Sequence, residues 1–380
     1  MLRELCPALA NKHYFNYGGQ GPLPTPSLEA MVACWKELQR LGPFSRDVWP
    51  FVEAETSALR RRLAQLCGVP PHRLSLTENV TSGCVLPLWG LPFDSGDTLL
   101  LSDAEHPGVV AACQELARRQ GLSISWFSAR DCRSDQAVLE SLEAALEPST
   151  RLVVLSHLLW NSGLAMPIEA VAKRLQQHPR QPWLLVDAAQ SMGSLELGCV
   201  PNAADIYAFT GHKWCCGPEG LGGVALSERV LEQSQPTVIG WRSLRNENSS
   251  GSQWHHDGRR FEVATSCIPL GAGLRSSLDL LEQLGNAQKR ETLICERSAR
   301  LWNGLQQIPA VQTVVQEAPP ASGLVSFTIE HIAAPEAVSA LADQNFQLRS
   351  LEDPLCLRAC THVFSTDAEI DQLLQAIAQL

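Results

Sequence analysis

Between Leu74 and Leu226, short apolar runs alternate with amphipathic stretches, and this alternation most limits how the chain can fold. Leu74-Ser75-Leu76, Thr98 to Leu101, Ser123 to Phe127, Arg151 to Leu155, Trp183 to Val186 and Asp205 to Phe209 read as strands. Between them, Leu139 to Leu146 and Ile168 to Leu175 repeat apolar residues at helical spacing. Such alternation demands crossover connections, so these segments predict an α/β fold whose mostly parallel sheet is covered on both faces. Ahead of it, Thr25-Pro26-Ser27 starts a helix with Leu28, Met31, Val32, Trp35 and Leu38 on one face. A second helix through Leu59, Leu63 and Leu66 stops at Gly68, before Pro70-Pro71.

The pattern changes at the polar loop Ser249-Ser250-Gly251-Ser252. A long helical region follows, from about Leu270 to Leu305, and then a smaller αβ unit. In that unit Leu324 to Ile329 and Phe346 to Arg349 read as strands, and Asp367 to Leu380 as a closing helix. A chain of 380 residues exceeds one ordinary core. The expected division is an N-terminal segment (1–20) packing near the active site, a large domain (21–255) and a small C-terminal α+β domain (256–380).

A hydrophobic fraction of 45% with 18% charged residues describes a soluble globular protein. A formal net charge of -10 argues against a nucleic-acid or anionic-membrane partner. No stretch approaches the roughly 20 apolar residues of a membrane span. Thirteen scattered cysteines without a CxxC motif fit a reducing, cytoplasmic setting better than a disulfide framework.

Ligands of open α/β sheets bind beyond the carboxyl ends of the strands, and here those ends carry chemistry. Trp183-Leu184-Leu185-Val186 runs into Asp187-Ala188-Ala189-Gln190, and the next strand runs into Thr210-Gly211-His212-Lys213. An acid at one strand end and an amine just past the next meet what pyridoxal phosphate requires. The amine forms the covalent link and the carboxylate keeps the ring nitrogen protonated. Thr77 to Gly83 offers hydroxyls and free backbone N–H groups at a helix start, a cradle for phosphate, or else ordinary capping by Thr77 or Thr81. His106, before the helix-starting Pro107, either stacks on the ring or caps the helix. Asn161 and Gln190 suit the phenolic oxygen of the cofactor, or they satisfy loop backbone. Asp187 alone reads equally as a helix cap, and Lys213 alone as a solvated lysine. Their convergence is the argument for a cofactor enzyme.

Two further motifs carry little. Gly220-Leu221-Gly222-Gly223-Val224-Ala225 matches GxGxxA but precedes a strand instead of opening a helix, so it is not read as a dinucleotide site. His255-His256 has no matching ligands nearby, so no metal is assigned.

Asp187 to Gln190 and Thr210 to Lys213 resemble the aminotransferase class V family of fold-type I pyridoxal-phosphate enzymes, which contains the cysteine desulfurases. The likeness spans the chain and implies a large domain with a seven-stranded sheet plus a smaller domain. By resemblance Lys213 is the cofactor lysine, Asp187 pairs with the ring nitrogen and His106 stacks on the ring. Gln190 and Asn161 address the phenolic oxygen, while Asn79, Val80, Thr81, Thr210 and His212 line the phosphate. Phe261-Glu262-Val263-Ala264-Thr265 resembles a segment that reaches a neighbouring subunit's phosphate through Thr265, implying a homodimer.

Tyr14 to Pro24, Ser156 to Gly163, Gly240-Trp241-Arg242-Ser243 and Arg358-Ala359-Cys360 are similar to the C–S lyase branch of that family. This implies Arg358, helped by Arg349, as the substrate-carboxylate grip, with Gly19, Gln20 and Trp241 shaping the pocket. Each arginine also reads as a surface ion pair, and Trp241 as packing. Desulfurases of the family carry a nucleophilic cysteine on a loop after the arginine strand. The corresponding stretch here, Leu348 to Pro354, has none, and Cys356 and Cys360 fall later, where packing is expected. The expected chemistry is therefore β-elimination of L-cystine or L-cysteine to pyruvate, ammonia and a persulfide or sulfide, with the persulfide a source of sulfur for iron–sulfur clusters. A desulfurase, aminotransferase or epimerase on the same scaffold, or a non-catalytic protein, are the alternatives.

Overall fold

The computed structural model describes residues 2–246 and 253–380, so the polar loop read at 249–252 lies outside the described residues. In chain order its strands are β1 (His13–Tyr14), β2 (Leu74–Thr77), β3 (Thr98–Ser102), β4 (Ser123–Phe127), β5 (Thr150–Ser156), β6 (Trp183–Asp187) and β7 (Ile206–Thr210). They continue with β8 (Gly222–Leu226), β9 (Val311–Thr313), β10 (Leu324–Ile329), β11 (Phe346–Gln347), β12 (Arg349–Glu352) and β13 (Leu355–Cys360). Seven strands form the large sheet in the order β2-β8-β7-β6-β5-β3-β4. Only β8 runs against its neighbours. The expected mostly parallel seven-stranded architecture is the observed one.

Why these runs form a doubly covered sheet is visible in their alternation. Val153 and Leu155 of β5 join one core, together with Leu184 and Val186 of β6. Leu152 and Val154 join the opposite core with Trp183 and Leu185. Period-two side chains are buried on both faces, as a parallel sheet between helical layers requires. Parallel register sets Ser156 beside Asp187 and Asp187 beside Ala208, so the polar strand ends share one edge.

The smaller sheet is antiparallel, in the order β12-β13-β10-β9. The expected single strand from Phe346 to Arg349 is broken at Leu348: β11 pairs with β1, while β12 turns to β13. The expected helical region from about Leu270 to Leu305 consists of two helices, Ile268–Glu282 and Ala287–Leu305, separated by a turn holding Gly285 at φ +125°. A glycine tolerates that backbone where a side chain would strain it. The first of the pair packs on helix Thr25–Leu41, where Ser27 Oγ and Ser277 Oγ lie 2.8 Å apart and a Cβ on Gly273 would meet Met31 at 2.7 Å. We therefore propose that the small domain begins at the turn 283–286.

The helix Thr25–Leu41 buries Ser27 and Cys34 instead of its largest apolar side chains. Leu28, Val32 and Trp35 stay 42–52% exposed. Among the described residues no helix is long and apolar enough to cross a membrane.

The segment after the undescribed loop is pinned to β2. Buried Glu262 accepts both Nη atoms of Arg60 and the backbone N–H of Leu76 (2.9 Å). Glu262→Ala leaves that guanidinium buried without its anion, and we expect a loss of about 3 kcal/mol in urea unfolding.

Candidate active site

The carboxyl edge of β5, β6 and β7 opens into a cavity lined by Val80, Thr81, His106, Ser156, Trp160, Asp187, Gln190 and Lys213. Asp187, the last residue of β6, is 5% exposed, and its Oδ1 accepts the N–H of Ala189 at 2.8 Å. Burial raises its pKa, opposed by that backbone bond and by the charges of Lys213 and His106. Lys213 lies just past β7. Burial lowers its amine to about 8, against the pull of Asp187 and with the help of Arg358 and Arg349. An acid shifted up and an amine shifted down in one cavity are groups tuned for proton transfer and covalent attachment.

His106 does cap the helix Pro107–Gln120: its Nδ1 accepts the N–H of Gly108 at 3.2 Å. That bond places the ring proton of the neutral imidazole on Nε2. Trp160 meets the ring edge-on at 5.6 Å, so His106 is held over the cavity instead of swinging free. Burial pushes its pKa down.

The expected cap of the following helix, Val80–Leu88, was Thr77 or Thr81; the structure assigns it to Asn79. Its side-chain oxygen accepts the N–H of Ser82 at 2.9 Å, and Thr77 Oγ1 instead donates to the carbonyl of Asn79 at 3.0 Å. An asparagine at this position holds the helix start open, leaving Val80 and Thr81 on the cavity. Thr210 Oγ1 lies 2.7 Å from His212 Nδ1, fixing both beside Lys213.

Gln190 is spoken for on both atoms: Nε2 donates to the carbonyl of Gly18 (2.9 Å), and Oε1 accepts Trp214 Nε1 (2.9 Å). One amide proton remains to face the cavity. Asn161 Nδ2 reaches the carbonyl of Asp353 at 3.4 Å, while its buried Oδ1 has no partner among the described residues. Arg358 is 1% exposed. Its Nη1 donates to the carbonyl of Trp160 (2.8 Å), but Nε and Nη2 have no partner among the described residues. Unpaired donors on a buried guanidinium call for an anion. Arg349 sits opposite Arg358 in the β12–β13 pair and is exposed.

Other expected residues stand apart from this cavity within one chain. Trp241 is 40% exposed and packs edge-on against Trp49 at 6.2 Å, bordering a separate cleft with Arg60 and Arg242. Thr265 is exposed, in a segment whose neighbours border Glu78 and Gly220 near the Asn79 cap. Gln20 Nε2 donates to Glu219 at 2.5 Å, and Gly19 lies against the Asn16 side chain. Sequence reasoning placed the N-terminal segment near the active site but gave Gly18 no role of its own, and there a Cβ would stand 2.9 Å from Arg358 Nη2 and 3.0 Å from Gln190 Oε1. It also assigned no role to Ser156, whose place at a strand end was the available signal.

The orphaned donors, the helix start and the acid–amine pair fit pyridoxal phosphate. The aminotransferase class V model matches residues 52–373. A lysine-to-alanine mutant of C-DES, with glycine covalently linked to the PLP cofactor, is 41% identical, with a TM-score of 0.94 over 100% of this chain and 99% of that one. The complex of the cystine C–S lyase C-DES with its product cysteine persulfide is likewise 41% identical, with a TM-score of 0.95 over 99% of each chain. Cysteine desulfurase of Haloferax volcanii is 26% identical over 83% of this chain and 76% of its own length. Isopenicillin N epimerase of Streptomyces clavuligerus is 28% identical over 99% and 96% respectively.

Only the neutral amine attacks an aldehyde, and Lys213 gives up its proton near pH 8. Attachment of pyridoxal phosphate to the apoenzyme should therefore rise with pH and reach half its plateau at about 8, as followed by visible absorbance. Lys213→Ala should abolish the attachment at every pH.

Proposed function

The chain belongs to the aminotransferase class V family of pyridoxal-phosphate enzymes, and from that premise we propose that it is a carbon–sulfur lyase. Its substrate is L-cystine or L-cysteine, and β-elimination gives pyruvate, ammonia and cysteine persulfide or sulfide. When bound, pyridoxal phosphate supplies the electron sink that lets an α-proton leave.

Lys213 would hold the cofactor covalently and, as a free amine, would take the α-proton at its Nζ; burial brings that amine to about 8, which is matched to the task. Asp187 keeps the ring nitrogen protonated and His106 covers the ring face. Asn79, Val80, Thr81, Thr210 and His212 hold the phosphate end, and Asn161 with the spare Gln190 proton holds the phenolic oxygen. Arg358 grips the substrate carboxylate with the two nitrogens left without a partner among the described residues. Arg349, opposite it in the β12–β13 pair, helps that grip, and Gly18 of the N-terminal segment lies against Arg358.

One observation carries elimination over sulfur transfer to the enzyme: the β12–β13 turn bears no thiol and is tied down. Asp353 in that turn takes a forked pair from Arg130 at 2.5 and 2.7 Å. The nearest thiols, Cys356 and Cys360, are fully buried on the strand that carries Arg358, and burial pushes Cys356 up to about 11. Such thiols are inert packing. The persulfide then leaves with the product and suits a sulfur donor for iron–sulfur cluster assembly.

The exposed Leu28, Val32, Trp35, Trp49 and Trp241 support a homodimer in which Trp241 and Thr265 serve the partner's site. The thirteen free cysteines support a cytoplasmic setting.

Incubation with cystine should yield pyruvate and sulfane sulfur together; alanine as the carbon product would establish a desulfurase instead, and a D-amino acid an epimerase. Cys356→Ser and Cys360→Ser should each retain most of the turnover. Arg358→Lys should lower kcat/KM about 100-fold, or ~2.7 kcal/mol, mostly through KM.

A further inference from the structure

Glu105 is a buried carboxylate with no cation at ion-pair distance among the described residues; three hydrogen-bond donors hold it instead. Ser102 Oγ at the end of β3 donates to Oε1 at 2.5 Å, as does the backbone N–H of Ser156 at 2.8 Å. Ser156 Oγ donates to Oε2 at 2.7 Å. Two strand ends are thus tied to the residue that immediately precedes His106.

Ser156 also lines the cofactor cavity, one strand from Asp187 and in register with it. A serine hydroxyl has one proton and two lone pairs, and an ionised carboxylate only accepts. With that proton committed to Glu105, Ser156 can offer the cavity only lone pairs.

We propose that Glu105 is a positioning residue that turns the Ser156 hydroxyl proton away from the cofactor, so that Ser156 and Asp187 together present acceptors to a protonated ring nitrogen. The proposal rests on the cofactor site assigned above but not on which reaction the cofactor serves. The groups facing Glu105 fit this arrangement. They are Asp187 from β6, Cys84 from helix Val80–Leu88 and Cys113 from helix Pro107–Gln120, none of them a cation. Burial raises the Glu105 carboxyl to about 7, partly offset by its serine bonds. A protonated ring in the cavity supplies a positive charge that none of these three groups gives Glu105.

Glu105→Gln keeps the shape but places an amide donor against Ser156 Oγ. The hydroxyl then accepts from the amide, and its proton turns toward the cavity. The holoenzyme reconstituted with pyridoxal phosphate labelled with 15N in the ring reports ring protonation through its chemical shift. In Glu105→Gln the ring nitrogen should lose its proton at a pH at least one unit lower than in the wild type, a tenfold weaker hold, with the melting temperature little changed. In a Ser156→Ala background the same substitution should shift it no further, because no hydroxyl proton remains to turn. An unchanged ring signal in Glu105→Gln overturns the proposal, and so does an equal shift with and without Ser156, which would assign the effect to charge or folding. A wild-type enzyme with no Lys213-dependent chromophore would bring down the cofactor site itself, and this proposal with it.

Discussion

Two opposite charges withdrawn from water at the ends of adjacent strands are the constraint on which the rest of the molecule depends. Asp187 ends β6, and Lys213 follows the end of β7, its parallel neighbour. In a medium of low polarity neither charge is well solvated, and burial raises the acid while lowering the amine. On the proposed reading, a ring cationic beside Asp187 and covalently tied to Lys213 would relieve both penalties at once. The buried core on either face of the sheet is what keeps that pair out of water.

The N-terminal segment makes the site a joint property of two sheets. β1 adds to β11 beside the small sheet, and the carbonyl of Phe15 accepts the N–H of Cys360 next to the Arg358 strand. Three residues on, Gly18 accepts from Gln190, and Gly21 donates to the carbonyl of His212. Tyr17 stacks on His362 at 4.3 Å, and His362 Nε2 lies 3.1 Å from the carbonyl of Trp214. Arg358 and Lys213 are therefore held in fixed relation by a stretch that belongs to neither sheet. Gly18 is needed there because any side chain would enter the space between Arg358 and Gln190.

Much of this was legible before any coordinates. Strand runs such as Trp183 to Val186 carry their own signal, because a strand buried on both faces has no polar face to blur it. Asp187 and Lys213 were readable because strand ends point to the site in a parallel sheet. The errors fall where tertiary contacts override local preference. Thr77 lost the cap to Asn79 because its hydroxyl turned to the Asn79 carbonyl. The helical region from Leu270 to Leu305 was legible, but its division was not, and it falls at the turn where Gly285 takes φ +125°. Trp241, read as shaping the pocket, borders a separate cleft in a single chain, because its neighbours there come from Trp49 and Arg60.

The amino-acid sequence by itself determined the doubly covered sheet and the acid and amine at its edge, because hydrophobic period and strand-end chemistry are local. Tertiary structure alone decided which polar atoms stay unpaired. The orphaned nitrogens of Arg358, the shared amide of Gln190 and the serine bonds of Glu105 all depend on partners distant in the chain. A hydrogen bond is a property of two positions, and only folding brings both to one place.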